Sequence, residues 1–131
     1  MHTTFRLLLA GLTLAGLGAM PQAALAQAPG PTMLNGQRVL TLVSRDPPGV
    51  RCNNNIQIAA ELSNVYKVPV VVVPVTYAGA GAKAPAVYYG GQLLAVDGGD
   101  FNGMTSYQMI ADVLEIKKDF EALKASIKAG G

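Results

Sequence analysis

Cys52 is the one thiol in this 131-residue chain, and His2 is the one imidazole. A thiolate is a nucleophile, a metal ligand and a disulfide partner, and its pKa falls at a helix N-terminus. With no second cysteine, no internal disulfide can form. His2 lies in a segment expected to be removed, so the remainder holds no Ser-His-Asp or Cys-His nucleophile pair and no histidine metal site. Asp97, Asp100 and Asn102 before Gly103 are oxygen-rich. Gly98 nevertheless stands where a first calcium ligand would be and Met109 where the closing Glu belongs, so the expectation is a polar turn and no metal. Gly79, Gly81 and Lys83 lack P-loop spacing and open onto Pro85, which makes them a loop. Asp112, Glu115, Asp119 and Glu121 among Lys117, Lys118, Lys124 and Lys128 read as a solvated helix face, with no catalytic pair of carboxylates. No cofactor is implied.

The chain opens with Arg6, an uncharged apolar run over residues 7–18, Pro21 and then Ala24-Leu25-Ala26. That is the layout of a secretory signal peptide over residues 1–26, cut after Ala26. The apolar run is shorter than the roughly 20 residues of a membrane-spanning helix, and Gly11, Gly16 and Gly18 weaken it further. The expected product is therefore soluble, without stable membrane insertion, in the periplasm or outside the cell. It has 131 − 26 = 105 residues, enough for one domain. Nine basic and eight acidic residues remain, a formal charge of 9 − 8 = +1 with the cations scattered, which gives no footprint for nucleic acid.

The elements that must position Cys52 follow from periodicity. Residues 27–36 are rich in Pro, Gly and Ala and read as a flexible lead-in to a domain over 37–131. Residues 38–44 alternate as a strand that ends at Pro47-Pro48-Gly49, and residues 53–67 have the length of a helix whose Asn run can cap its first turn. Ile56, Ala59, Ala60, Ser63 and Tyr66 share one side of it. The β-branched run 68–75 reads as a strand buried on both faces and central in its sheet. Residues 86–89 and 93–96 flank Gly90-Gly91 as a hairpin. Tyr88 and Tyr89 then point to opposite faces, so at least one covers the sheet. Thr105 and Gln108 have capping-box spacing for a last helix, along which Met109, Val113, Ile116, Phe120, Leu123 and Ile127 recur at steps of four and three. That stripe is wide enough to lie on a sheet and is read as a packing face, with a coiled-coil pair as the alternative.

Strand, helix, strand, hairpin, helix is an α/β order with a small mixed sheet. It is also the minimal core of the thioredoxin fold, and two local features strengthen the likeness. Gly49-Val50-Arg51-Cys52 stands between the first strand and helix, and Ala84-Pro85 leads into the hairpin. From about residue 38 to 114 the chain thus resembles the thioredoxin-like superfamily, which carries Cys-x-x-Cys at the first place and a cis proline at the second. The resemblance implies a three-layer sandwich with helices on both faces and a site made of Gly49, Arg51, Cys52, Ala84, Pro85 and Tyr88. One register puts Cys52 at the family's second cysteine and Gly49 at the first, so the attacking thiol is missing. The chain would then bind a partner polypeptide beside Pro85. In the other register Cys52 is the first position, with Arg51 lowering its pKa. A one-cysteine thiol-disulfide oxidoreductase would then form mixed disulfides with glutathione or a client protein. A Cys52-linked dimer is a third use of the thiol.

Overall fold

The computed structural model describes residues 28–130, so the signal-peptide segment lies outside the described residues. Two short strands come first, β1 (Met33–Leu34) and β2 (Gln37–Arg38), paired antiparallel. Asn35 and Gly36 between them both have positive φ, 51° and 77°. Asn-Gly favours this turn because both central residues must be left-handed. A hairpin therefore occupies part of the stretch expected to be an irregular lead-in.

Four strands form the main sheet: β3 (Leu40–Ser44), β4 (Val70–Pro74), β5 (Ala86–Tyr89) and β6 (Gln92–Val96), in the order β4-β3-β5-β6. β4 runs parallel to β3, while β5 runs antiparallel to both β3 and β6. Helix α1 (Val50–Tyr66) makes the crossover between β3 and β4, and α2 (Tyr107–Gly130) ends the described chain. The class is mixed α/β, as expected. The centre of the sheet is β3, whose five residues are all buried, whereas β4 lies at the edge with Val72 exposed. The Val run is thus not a central strand. Pro69 and Pro74, which cannot donate to a ladder, sit where an edge tolerates them.

Both helices serve one face of the sheet. Leu40, Leu42, Val87 and Ala95 share that face and pack with Ala59 and Leu62 of α1 and with Ile110, Ala111 and Leu114 of α2. The opposite face presents Val43, Ala86 and Tyr88, packed with Cys52, Ala84, Val75, Ala78 and Ala28. Helices on both faces were expected; the second face is instead covered by connecting segments. The physical reason is length, because residues 75–85 between β4 and β5 hold only a three-residue 3-10 turn, Val75–Tyr77.

α2 departs from expectation in a second way. Its buried side is Ile110, Ala111 and Leu114, whereas Ile116, Phe120, Leu123 and Ile127 are exposed. At about 1.5 Å per residue the helix is roughly 36 Å long, longer than the short sheet it packs on. Ser106 caps it, its Oγ accepting from Met109 N at 3.2 Å. Thr105 takes no part in a capping box, because its hydroxyl donates to Asn55 Oδ1 at 2.8 Å.

Candidate functional site

α1 begins at the C-terminal end of β3 with Gly49 as its N-cap, in extended backbone and without a side-chain cap. Cys52 therefore falls in the first turn, which starts three residues earlier than expected. Its side chain turns inward, and the residue is only 3% exposed. Arg45 N–H donates to Cys52 Sγ at 3.5 Å. Burial pushes the thiol pKa up, but hydrogen bonds from the Arg45 and Gly49 backbone and the Ser44 side chain, together with the Arg45 charge, outweigh it. The net result is a thiol below its ordinary value.

The cation beside the thiol is Arg45, not Arg51 as expected. Arg51 reaches away to the loop after β6, where Nη1 donates to Asp97 Oδ1 at 2.6 Å and also to the Asn102 carbonyl. That hydrogen bond, followed by the guanidinium charge, holds the Asp97 carboxyl below its usual range. Asp97, read from sequence as part of a polar turn, is thus the partner that fixes Arg51.

A deeper tie joins the same two segments. Asn55 is 2% exposed. Its Nδ2 donates to Gly103 O at 2.8 Å, and its Oδ1 accepts from Thr105 N at 2.9 Å and from Thr105 Oγ1 at 2.8 Å. Asn54 Nδ2 adds a bond to Thr105 O at 2.8 Å. The Asn run does not cap α1; it bolts α1 to the loop before α2. Cys52, Asn55, Ala59 and Leu62 form the buried line of the helix, a three-four-three spacing that could have located Asn55 from sequence.

The held loop is unusual. Phe101 and Asn102 are both left-handed, at φ 54° and 50°, and Gly103 follows at 79°. Non-glycine residues adopt this region rarely, and it persists where surrounding bonds enforce it. A Cβ on Gly103 would come within 2.8 Å of Asp97 N, so glycine is required there by both space and φ.

The sequence-derived residues converge only in part. Gly49, Val50, Arg51, Cys52, Arg45 and Pro85 line one recess of about 90 Å³. Ala84, joined to Pro85 by a cis bond, packs against Cys52. Pro85 O is engaged by Asp97 N at 2.9 Å. Tyr88 is buried behind the recess in the same cluster, so it supports the site and does not line it. Val50, in the wall of the recess, is 86% exposed, and Phe101, in the loop held by Arg51, is 75% exposed and lines a separate recess with Leu93, Val96 and Met109. Tyr77, 82% exposed, follows β4 at the same end of the sheet as the end of β3.

A larger recess of about 400 Å³ lies at the other end of β3, lined among others by Arg38, Tyr66, Tyr89 and Glu121. Arg38 and Glu121 in it satisfy each other, Nη2 to Oε1 at 2.7 Å, and Lys118 is the third charged residue of its lining. It holds no thiol, so the smaller recess remains the candidate. A disulfide between two copies through Cys52 would require the first turn of α1 to open, since the thiol is buried. Among the described residues no helix is long and apolar enough to cross a membrane. Comparison with known protein families, with curated proteins and with solved structures finds no match.

Proposed function

We propose that this chain is an exported protein of thioredoxin-like ancestry that binds an extended partner polypeptide at the Cys52–Pro85 end. The observation that carries the reading is the single recess lined by Gly49, Val50, Arg51, Cys52 and Pro85. Two segments far apart in sequence meet there, at the carboxyl ends of the parallel pair β3 and β4, the end at which open α/β sheets commonly bind ligands. Exposed Val50, Phe101 and Tyr77 supply apolar contacts of the kind that peptide recognition uses. The absence of a second thiol removes ordinary dithiol exchange and leaves binding as the principal role. Isotope-labelled protein titrated with a library of extended peptides should show NMR shifts concentrated at Arg45, Val50, Cys52, Ala84 and Phe101. Shifts elsewhere, or none, would sink the proposal.

A second reading is favoured by the place of Cys52 in the first turn of α1, lining the recess, where hydrogen bonds and the Arg45 charge bring its thiol below the ordinary value. Once the first turn of α1 opens to expose it, a thiolate there attacks glutathione disulfide, forming a Cys52–glutathione bond while the other glutathione leaves as a thiolate. Intact-mass measurement after incubation with glutathione disulfide reads this directly. A single adduct lost in Cys52→Ser supports it, and an unmodified native protein removes it.

A further inference from the structure

We propose that the outer half of α2 pairs in parallel with the same helix of a second copy, as a short two-stranded coiled coil. Val113, Ile116, Phe120, Leu123 and Ile127 recur at steps of three and four, and the last four are more than half exposed, at 54–66%. Beyond the half-buried Val113, the domain does not use this seam. At about 100° per residue, the packed side formed by Ile110, Ala111 and Leu114 lies roughly 140° around the helix from it, so two copies can meet along the seam with their domains facing outward.

The occupant is identified by the charges beside the seam. With Val113, Phe120 and Ile127 at a and with Ile116 and Leu123 at d, the g positions are Asp112 and Asp119 and the e positions are Lys117 and Lys124. In a parallel pair each g residue faces the e residue five places on in the partner helix. Asp112 then faces Lys117, and Asp119 faces Lys124, on both sides of the seam. Antiparallel pairing would set aspartate against aspartate and lysine against lysine. β-Branched Val113 and Ile127 at a, with Leu123 at d, suit two strands. The exposed stripe is thus flanked by charges complementary to its own copy in one orientation only. Two heptads make a weak, concentration-dependent association, and Lys124, already 4.0 Å from Glu121 Oε2, has to turn across the seam.

Sedimentation equilibrium of the full protein as isolated from its cell tests the pairing. The expected result is a monomer–dimer equilibrium that Phe120→Asp abolishes without change in circular dichroism. Asp119→Lys places two like-charged pairs across the seam and should weaken the dimer about tenfold, and adding Lys124→Asp to it should restore the affinity. A monomer at every concentration overturns the proposal, as does a dimer indifferent to Phe120→Asp or a charge reversal not rescued by its complement. A monomer whose Phe120→Asp variant loses binding to phosphatidylcholine–phosphatidylglycerol vesicles would assign the stripe to a lipid surface instead and equally overturn it.

Discussion

Replacing Asn55 by alanine removes the bolt between α1 and the loop before α2. Four bonds go at once: Nδ2 to Gly103 O, and Thr105 N, Thr105 Oγ1 and Asn54 Nδ2 to Oδ1; Asn54 Nδ2 keeps Thr105 O, so three groups are stranded. The site is almost fully buried, so water does not readily replace them, and each stranded group costs about 1–3 kcal/mol. The Thr105 hydroxyl can rotate toward another acceptor, which brings the total to about 3–5 kcal/mol. Against a domain stability of about 5–15 kcal/mol this is a large fraction. With a urea slope of about 1–3 kcal/mol per molar, the unfolding midpoint should fall by roughly 2 M. Asn55→Leu separates polar satisfaction from volume, because it keeps the bulk and leaves the same partners stranded. It should lose nearly as much as Asn55→Ala. A leucine variant within about 1 kcal/mol of the parent would refute the assignment of this residue as a polar tie.

Two further predictions concern charge at the site. Arg45→Gln should raise the pH at which Cys52 becomes alkylated, whereas Arg51→Gln should leave it in place, since Arg45 supplies the cation facing the thiol. A larger shift from Arg51→Gln, measured as iodoacetamide rate against pH, would contradict the geometry. Asp97 has a folded pKa below its unfolded one because of Arg51, so its contribution to stability is complete above the ordinary carboxyl range and disappears as pH falls through the lowered folded value. Arg51→Gln should move the Asp97 NMR titration upward and flatten the acid side of the melting curve; identical Asp97 titrations in the two proteins would be incompatible with the ion pair.

The order of elements was legible because each long segment carries one clean signal: alternation in 38–44, Gly-Gly between apolar runs, and a helical period after Thr105. Position within the sheet was not. A Val run states that a strand is apolar, but its neighbours decide whether it is central, and here the alternating Leu40-Thr41-Leu42-Val43 segment took the middle. Polar residues misled more. Asn54 and Asn55 looked like local caps, yet their partners are about 50 residues away, a pairing that no local pattern encodes. Cys52 and Pro85 were the legible part of the candidate site. Arg45 was invisible because its distance from the thiol depends on how the chain turns between β3 and α1. The apolar stripe on α2 is legible as a stripe, but periodicity does not say which surface it meets.

The direction of α2 has a consequence for reach. The loop just before it is tied to Asn55, and Glu121 meets Arg38 near the opposite end of β3, about 21 Å along the helix axis from Tyr107. The outer turns therefore point away from Cys52 and Pro85. Two copies joined by those turns would carry their recesses at distal tips, unobstructed by the junction, as the two hands of one clamp. A client with two extended segments could then be held at both, with an avidity neither recess has alone.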